Sequence, residues 1–361
     1  MSILRIPGPL DPHVHLRGMD WSHKGDFATE TAAALAGGYT AVLDMPNTPP
    51  ETARPEALAR KRRELDRTAH CDWGVYYGAH PQGNLETFPK AFQGVVGLKI
   101  YCNPTTGFMY MRGRTREEHF AAWRDHGLVA VHAEEEEVAA VLELVERYRI
   151  RTHFCHISTR TELDMLREGK RKGLPISAGA CPHHMFLTEL DLPRLGSFGM
   201  MKPPLKTQAD QDALWEALSD GLLDVVESDH APHSLAEKQA DEPAWGVPVV
   251  ETTLVLLGTA VDEGRLTQER LVQLVSTNPR RIFGIACPPD TWTDLRLGLD
   301  EPDVIAAASL HSKCGWTPFE GHRVTARIER VNIRGTQAAA GGRIKVEAGF
   351  GRPVVQQRTW T

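Results

Sequence analysis

One feature limits the fold more than any other: short apolar runs alternate with longer helical patterns along most of the chain, and nearly every run ends on a polar residue. The strand-like runs are GPLDPHVHL from Gly8, YTAVLDM from Tyr39, CDWGVYYGA from Cys71 and GVVGLKIY from Gly94. Four more follow: GLVAVHA from Gly127, RTHFCHI from Arg151, LPISAGA from Leu174 and LLDVVESD from Leu222. Between them the apolar spacing predicts helices at Phe27–Ala36, Pro55–Arg67, Thr115–Asp125, Glu134–Tyr148, Thr161–Lys172 and Gln208–Ser219, and after the last run at Val250–Glu263 and Thr267–Ser276. Gly37 and Gly38 read as a helix stop. Strands alternating with helices form parallel βα units, and eight units close a (β/α)8 TIM barrel. The alternative, an open doubly wound sheet, lacks a GxGxxG turn after the first strand.

The tail is built differently. Val324 to Phe350 shows strand-like alternation and glycine-rich turns without helices, as a small β appendage to which the first residues can add a strand. The expected division is a barrel over 8–310, with 1–7 and 311–361 forming the appendage and tail. Cys287–Leu310 is a poorly patterned connection.

Composition narrows the function. A chain of 361 residues with 41 basic and 47 acidic side chains carries a net charge of −6, which argues against nucleic acid and anionic membrane surfaces as partners. No window holds the ~20 apolar residues of a membrane span, and the first ten residues lack a signal-peptide core. The six cysteines form no CxxC pair, as expected of free thiols in the cytoplasm.

In a TIM barrel the C-terminal strand ends converge on one pocket. Here they carry His13, His15 and Arg17; Asn47; Lys99; His132; His156; His183 and His184; and Asp229 and His233. His13 and His15 share one strand face, which suits two ligands on one metal, although a hydrogen-bonded structural pair has the same spacing. Arg17 keeps that parity and suits a carboxylate clamp. Lys99 stands inside an apolar run, where an isolated ammonium is expensive. It either finds an ion-pair partner or has captured carbon dioxide as a carbamate, an anionic ligand able to bridge two cations. His132 and His156 are ligands or core histidines. Asp229 is a metal ligand and proton carrier, or a helix N-cap. His183, His184 and His230 read as structural, and Cys155 as turned away from His156 by strand parity. No GxSxG or P-loop is present.

Taken together, DPHVHLR, TAAALAGGYTAVLDMPNTPP, GLKIYCN, VHAEEEEVAAVL, CPHHMFLTELDLPRLG, SDHAPHSLAEK, NPRRIFG and WTPFEGHRV resemble, in order and over almost the whole chain, the dihydroorotase family of the amidohydrolase superfamily. The similarity extends to the dihydroorotase domains of multifunctional animal pyrimidine-synthesis proteins. The resemblance implies two Zn2+ ions: one held by His13, His15 and Asp229, one by His132 and His156, with carboxylated Lys99 between them. It implies reversible cyclisation of N-carbamoyl-L-aspartate to L-dihydroorotate, with a bridging hydroxide as nucleophile and Asp229 as proton shuttle. Arg17, Asn47 and His233 would hold the substrate carboxylate, and Thr105 falls in a segment resembling the active-site loop. The resemblance leaves room for a homodimer and for association with aspartate transcarbamoylase. It departs from the family at HLRGMD, where HLREPG is frequent, and at Gly179 and Lys202, where the animal domains have glutamate and arginine. Competing readings are a hydantoinase or allantoinase type of cyclic amidase, and an inactive barrel kept as a scaffold.

Overall fold

A computed structural model describes residues 2–356. Strand β1 (Ser2–Pro7) leads through Gly8 directly into the barrel, whose strands are β2 (Leu10–Val14), β3 (Ala41–Asp44), β4 (Asp72–Val75), β5 (Tyr77–Gly78), β6 (Leu98–Tyr101), β7 (Val129–His132), β8 (Thr152–Phe154), β9 (Ile176–Ala180) and β10 (Val225–Val226). The order β2-β3-β4 continues into β5-β6-β7-β8-β9-β10, all parallel, because β4 and β5 are one strand interrupted at Tyr76. A parallel bridge between Val14 and His230 joins the last strand position to the first. This is the TIM barrel expected from the eight runs. Residues such as Val42, Leu98, Ile100, Val129, Phe154 and Ala180 are fully or almost fully buried. Strands covered on both faces have no solvent side to mark with polar residues, and so read as continuous apolar runs.

The helices follow their local signals. Phe27–Ala36 opens on Asp26, whose carboxylate accepts from the Thr29 N–H, and it ends at Gly37. Gly38 then takes φ +96°, and a Cβ on Gly37 would lie 2.6 Å from Glu251 Cα, so neither position tolerates a side chain. Thr159 and Thr207 cap Arg160–Arg171 and Gln208–Ser219 in the same reciprocal way, each with an acidic residue three positions on. The single helix expected at Thr267–Ser276 is instead Gln268–Val272, a π turn over Gln273–Thr277 and a further helix Asn278–Phe283.

The appendage holds a strand the sequence reading missed. β11 (Trp292–Leu297) lies between β1 and the tail in an antiparallel sheet. Two short strands, β12 (Asp303–Val304) and β13 (Arg323–Val324), pair separately. β14 (Arg327–Ile333), β15 (Thr336–Ala340) and β16 (Arg343–Ile344) complete the order β1-β11-β14-β15-β16. The C-terminal strands of this sheet therefore begin at Trp292. The pattern of β11 was masked by Asp294, a buried carboxylate held between Arg5 at 2.8 Å and Arg330 at 2.7 Å. Beyond β16 the chain returns to the barrel, where Pro353 bridges to Trp73 and Gln356 to Ile285. Among the described residues no helix is long and apolar enough to cross a membrane, and all six cysteines are unpaired.

Candidate active site

The strand ends bring the expected residues to one pole. His13 and His15 leave β2 on one face, and the Nε2 of each lies 3.1 Å from the same oxygen, Oδ1 of Asp229. From β7 and the turn after β8, His132 Nδ1 and His156 Nε2 face each other at 2.9 Å. The rings of His13 and His156 are 5.3 Å apart, which joins the two groups. Lys99 is completely buried between them, with Cys155 Sγ at 3.0 Å and the Tyr101 ring at 5.3 Å.

The backbone is strained where the site needs it. Arg17, His156 and Asp229 take φ of 58°, 40° and 46°. For residues other than glycine this region is sparsely populated, and such outliers cluster at functional sites. The left-handed turn at His156 also explains Cys155. β8 ends at Phe154, so strand alternation no longer applies, and the Cys155 thiol turns inward toward Lys99 instead of away.

Hydrogen bonding tests whether a cation fits. Asn47 donates through Nδ2 to the Thr106 carbonyl at 2.9 Å, so its Oδ1 faces His15 and accepts from Nδ1 at 2.7 Å. The hydrogen of a neutral His15 is therefore on Nδ1, and its bare Nε2 lone pair points at an Asp229 oxygen. Burial pushes His15 down to about 3, whereas Asp229, despite burial, is held well below the usual carboxylate range by His13 and His15. Two electron-rich atoms 3.1 Å apart are reconciled by a proton or a metal cation between them. The second group behaves alike: His132 gives its Nε2–H to Glu134 at 2.9 Å, leaving Nδ1 bare, and burial lowers both His132 and His156. Nδ1 of His13 and Nδ1 of His156 are buried without a hydrogen-bond partner. His13, His15 and Asp229 lie close enough to share one ion. Borderline ligands of this kind suit zinc.

Beside these two groups lies a cluster of buried basic side chains. Arg17 donates through Nε to the Pro232 carbonyl at 3.0 Å and through Nη2 to His233 Nε2 at 3.1 Å, while its Nη1 is buried and unpaired. Burial lowers Arg17 only to about 10, so it stays charged. Burial, then Arg17, takes His233 to about 3, so it stays neutral. Lys24 adds a second buried cation, 2.7 Å from Glu237. Asn47 has both polar ends engaged and orients His15. Thr105 lies in the segment between β6 and the next helix; it is the neighbouring Thr106 that reaches Asn47 and, through Oγ1, the Trp245 carbonyl at 3.1 Å.

Two buried acids escaped the sequence reading. Glu227 sits two residues before Asp229, 3.7 Å from His13 and 3.2 Å from His153. Asp11 accepts from the backbone N–H of His13 at 3.1 Å, and burial raises it to about 7. A carboxylate inside an apolar strand, at the parity of a known site residue, was the available signal for both.

No protein-family profile matches the chain. The chain is similar to the Multifunctional protein CAD of Squalus acanthias, 39% identical over 361 residues, covering 99% of this chain and 16% of that one. It is similar to a dihydroorotase of Halobacterium salinarum, 35% identical over 352 residues, covering 88% of this chain and 82% of the relative. Among solved structures it resembles an L-hydantoinase from Arthrobacter aurescens, with a TM-score of 0.92 at 26% identity, over 98% of this chain and 89% of the other. The chain thus spans 16% of the length of the multifunctional relatives it matches, and most of the length of the single-function ones.

Proposed function

The chain belongs to the dihydroorotase family, and from that premise we propose that it interconverts N-carbamoyl-L-aspartate and L-dihydroorotate in pyrimidine biosynthesis. One observation carries the reading: two imidazoles meet the same Asp229 oxygen while, two residues beyond His15, a buried guanidinium keeps one nitrogen unpaired.

His13, His15 and Asp229 would hold one zinc and His132 and His156 the other, and Lys99, once carboxylated, would supply an anionic ligand to them. When bound, these ions acidify a water and polarise the ring amide carbonyl. Asp229, ionised at neutral pH, takes the proton of the attacking water and delivers it to the ring nitrogen as the C–N bond breaks. Arg17 binds the substrate carboxylate through Nη1, and neutral His233 fixes the guanidinium plane. Asn47 holds His15, and Thr106 ties its own loop to the one carrying Trp245. In the biosynthetic direction the same groups run in reverse.

The reading extends to a cytoplasmic location, supported by the unpaired cysteines, and to a homodimer. Association with aspartate transcarbamoylase is part of it as well, supported by the match to a multifunctional relative. A hydantoinase-type activity is the second reading, favoured by the L-hydantoinase likeness. Arg17 discriminates, because an uncharged ring offers no carboxylate to a buried guanidinium. The test is dihydroorotate hydrolysis with zinc content measured on the same sample, beside hydantoin, dihydrouracil and allantoin. Turnover of dihydroorotate with about two zincs per chain is expected; turnover of the uncharged rings alone would overturn the assignment.

A further inference from the structure

We propose that Glu227, immediately after β10, is a positioning carboxylate that fixes the His156 turn by a hydrogen bond and supports His13 by its charge, and that residue 179 is glycine to leave it room. The inference rests on His13 and His156 being metal ligands, as read above.

Glu227 is fully buried. Its Oε1 accepts the backbone N–H of His156 at 2.6 Å. Its Oε2 faces His153 Nε2 at 3.2 Å and His13 Nδ1 at 3.7 Å. His153 is itself anchored, with Nδ1 2.9 Å from Ser177 Oγ and its ring edge-on to Phe283. His13 thus turns one nitrogen to Asp229 and the other toward Glu227. At 3.7 Å this carboxylate acts on His13 by its charge, not by a hydrogen bond, and a negative charge behind a ligating imidazole raises its basicity. The bond to the His156 N–H acts on the other metal group. It secures the left-handed turn that aims His156 Nε2 at His132. A single carboxylate therefore braces one ligand from each group.

Gly179 supplies the space. A Cβ there would stand 2.6 Å from Glu227 Oε1 and 2.8 Å from its Cδ. Methyl and carboxylate cannot both fit, so the glycine on β9 and the glutamate that follows β10 form a matched pair. His13, Cys155 and Glu227 also lie close enough to hold a cation directly, and the experiment separates that role from positioning.

The full chain is purified as wild type, Glu227→Gln and Gly179→Ala. Zinc per chain, zinc release to a chelator, thermal midpoint, and kcat and KM for dihydroorotate with and without added zinc are measured. Glutamine matches the volume of Glu227 but presents an amide where donors already point. Glu227→Gln should hold zinc about ten- to a hundredfold less tightly, recover kcat in excess zinc, and leave KM unchanged. Gly179→Ala removes no hydrogen-bonding group, should cause the same loss by displacing the carboxylate, and serves alone if the glutamine variant does not fold. Wild-type chelator resistance in a folded variant of either kind would overturn the proposal. So would loss of one whole ion per chain with the others held as before, because Glu227 would then be a ligand itself. A wild type with neither zinc nor turnover would instead overturn the underlying reading of the site.

Discussion

Three lysines among the described residues are completely buried: Lys238 gives its ammonium to the Met200, Ala244 and Gly246 carbonyls, and the other two, Lys61 and Lys99, sit in settings that differ. Lys61, on the helix Pro55–Thr68, gives its ammonium to Asp44 Oδ2 at 2.7 Å and to the Met45 carbonyl at 3.0 Å. Asp44 in turn accepts the Leu16 N–H at 2.8 Å. This pair ties a helix to the barrel wall. Lys99 has a thiol at 3.0 Å and an aromatic ring, and no carboxylate among its described contacts. Burying an ammonium is costly without a partner charge. At Lys61 the fold supplies that charge; at Lys99 it supplies four imidazoles and Asp229 around the strand end instead. The first lysine belongs to the scaffold, and the second suits conversion to an anion between cations.

Matched substitutions break or sharpen this contrast. Lys99→Met should take dihydroorotate turnover to background and reduce bound zinc, with the urea midpoint unchanged or raised; an active Lys99→Met enzyme would end the distinction. Asp229→Ala comes next, with a loss in kcat of about 10²–10⁴ and a folded far-UV spectrum. Lys61→Met should do the reverse of Lys99→Met, costing about 3–5 kcal/mol because Asp44 is left charged and unpaired, while the folded fraction keeps its turnover. Arg17→Ala removes a charge-assisted bond of about 1.5–3 kcal/mol, read as a roughly ten- to hundredfold fall in kcat/KM for dihydroorotate and little change for uncharged rings.

The smallest effect is on acid stability. His184 and His233 are held neutral by burial, down to about 4 and about 3. Their folded values lie below the unfolded value near 6.5, so the unfolded chain takes up protons first. Stability is full above pH 6.5 and falls as pH drops toward those folded values, by up to about 1.4 kcal/mol per pH unit per group. Urea midpoints between pH 7 and 5 measure the slope, and His184→Asn should flatten it.

Which parts could be read from residues alone follows the same physics. His13, His15, Lys99, His132, His156 and Asp229 were visible because each interrupts or ends an apolar run, and a barrel gathers such ends. Cys155 was misjudged because alternation holds only while a strand lasts, and β8 stops one residue earlier. Glu227 was hidden within a run that looked like core, since its partners His13, His153 and His156 come from distant segments. β11 was obscured because its buried Asp294 is neutralised by arginines at opposite ends of the chain. A pattern search sees neighbours in sequence, and these residues depend on neighbours in space.

The pairing of β1 with β11 has a consequence for synthesis. Arg5 meets Asp294 at a sequence separation of 289, and His15 meets Asp229 at a separation of 214. β1 and β2 are thus made long before these partners, and are among the last to complete their contacts. Until the eighth barrel strand emerges, His13 and His15 lack Asp229, so a cation shared by these three groups would be captured late in assembly and would not seed the fold.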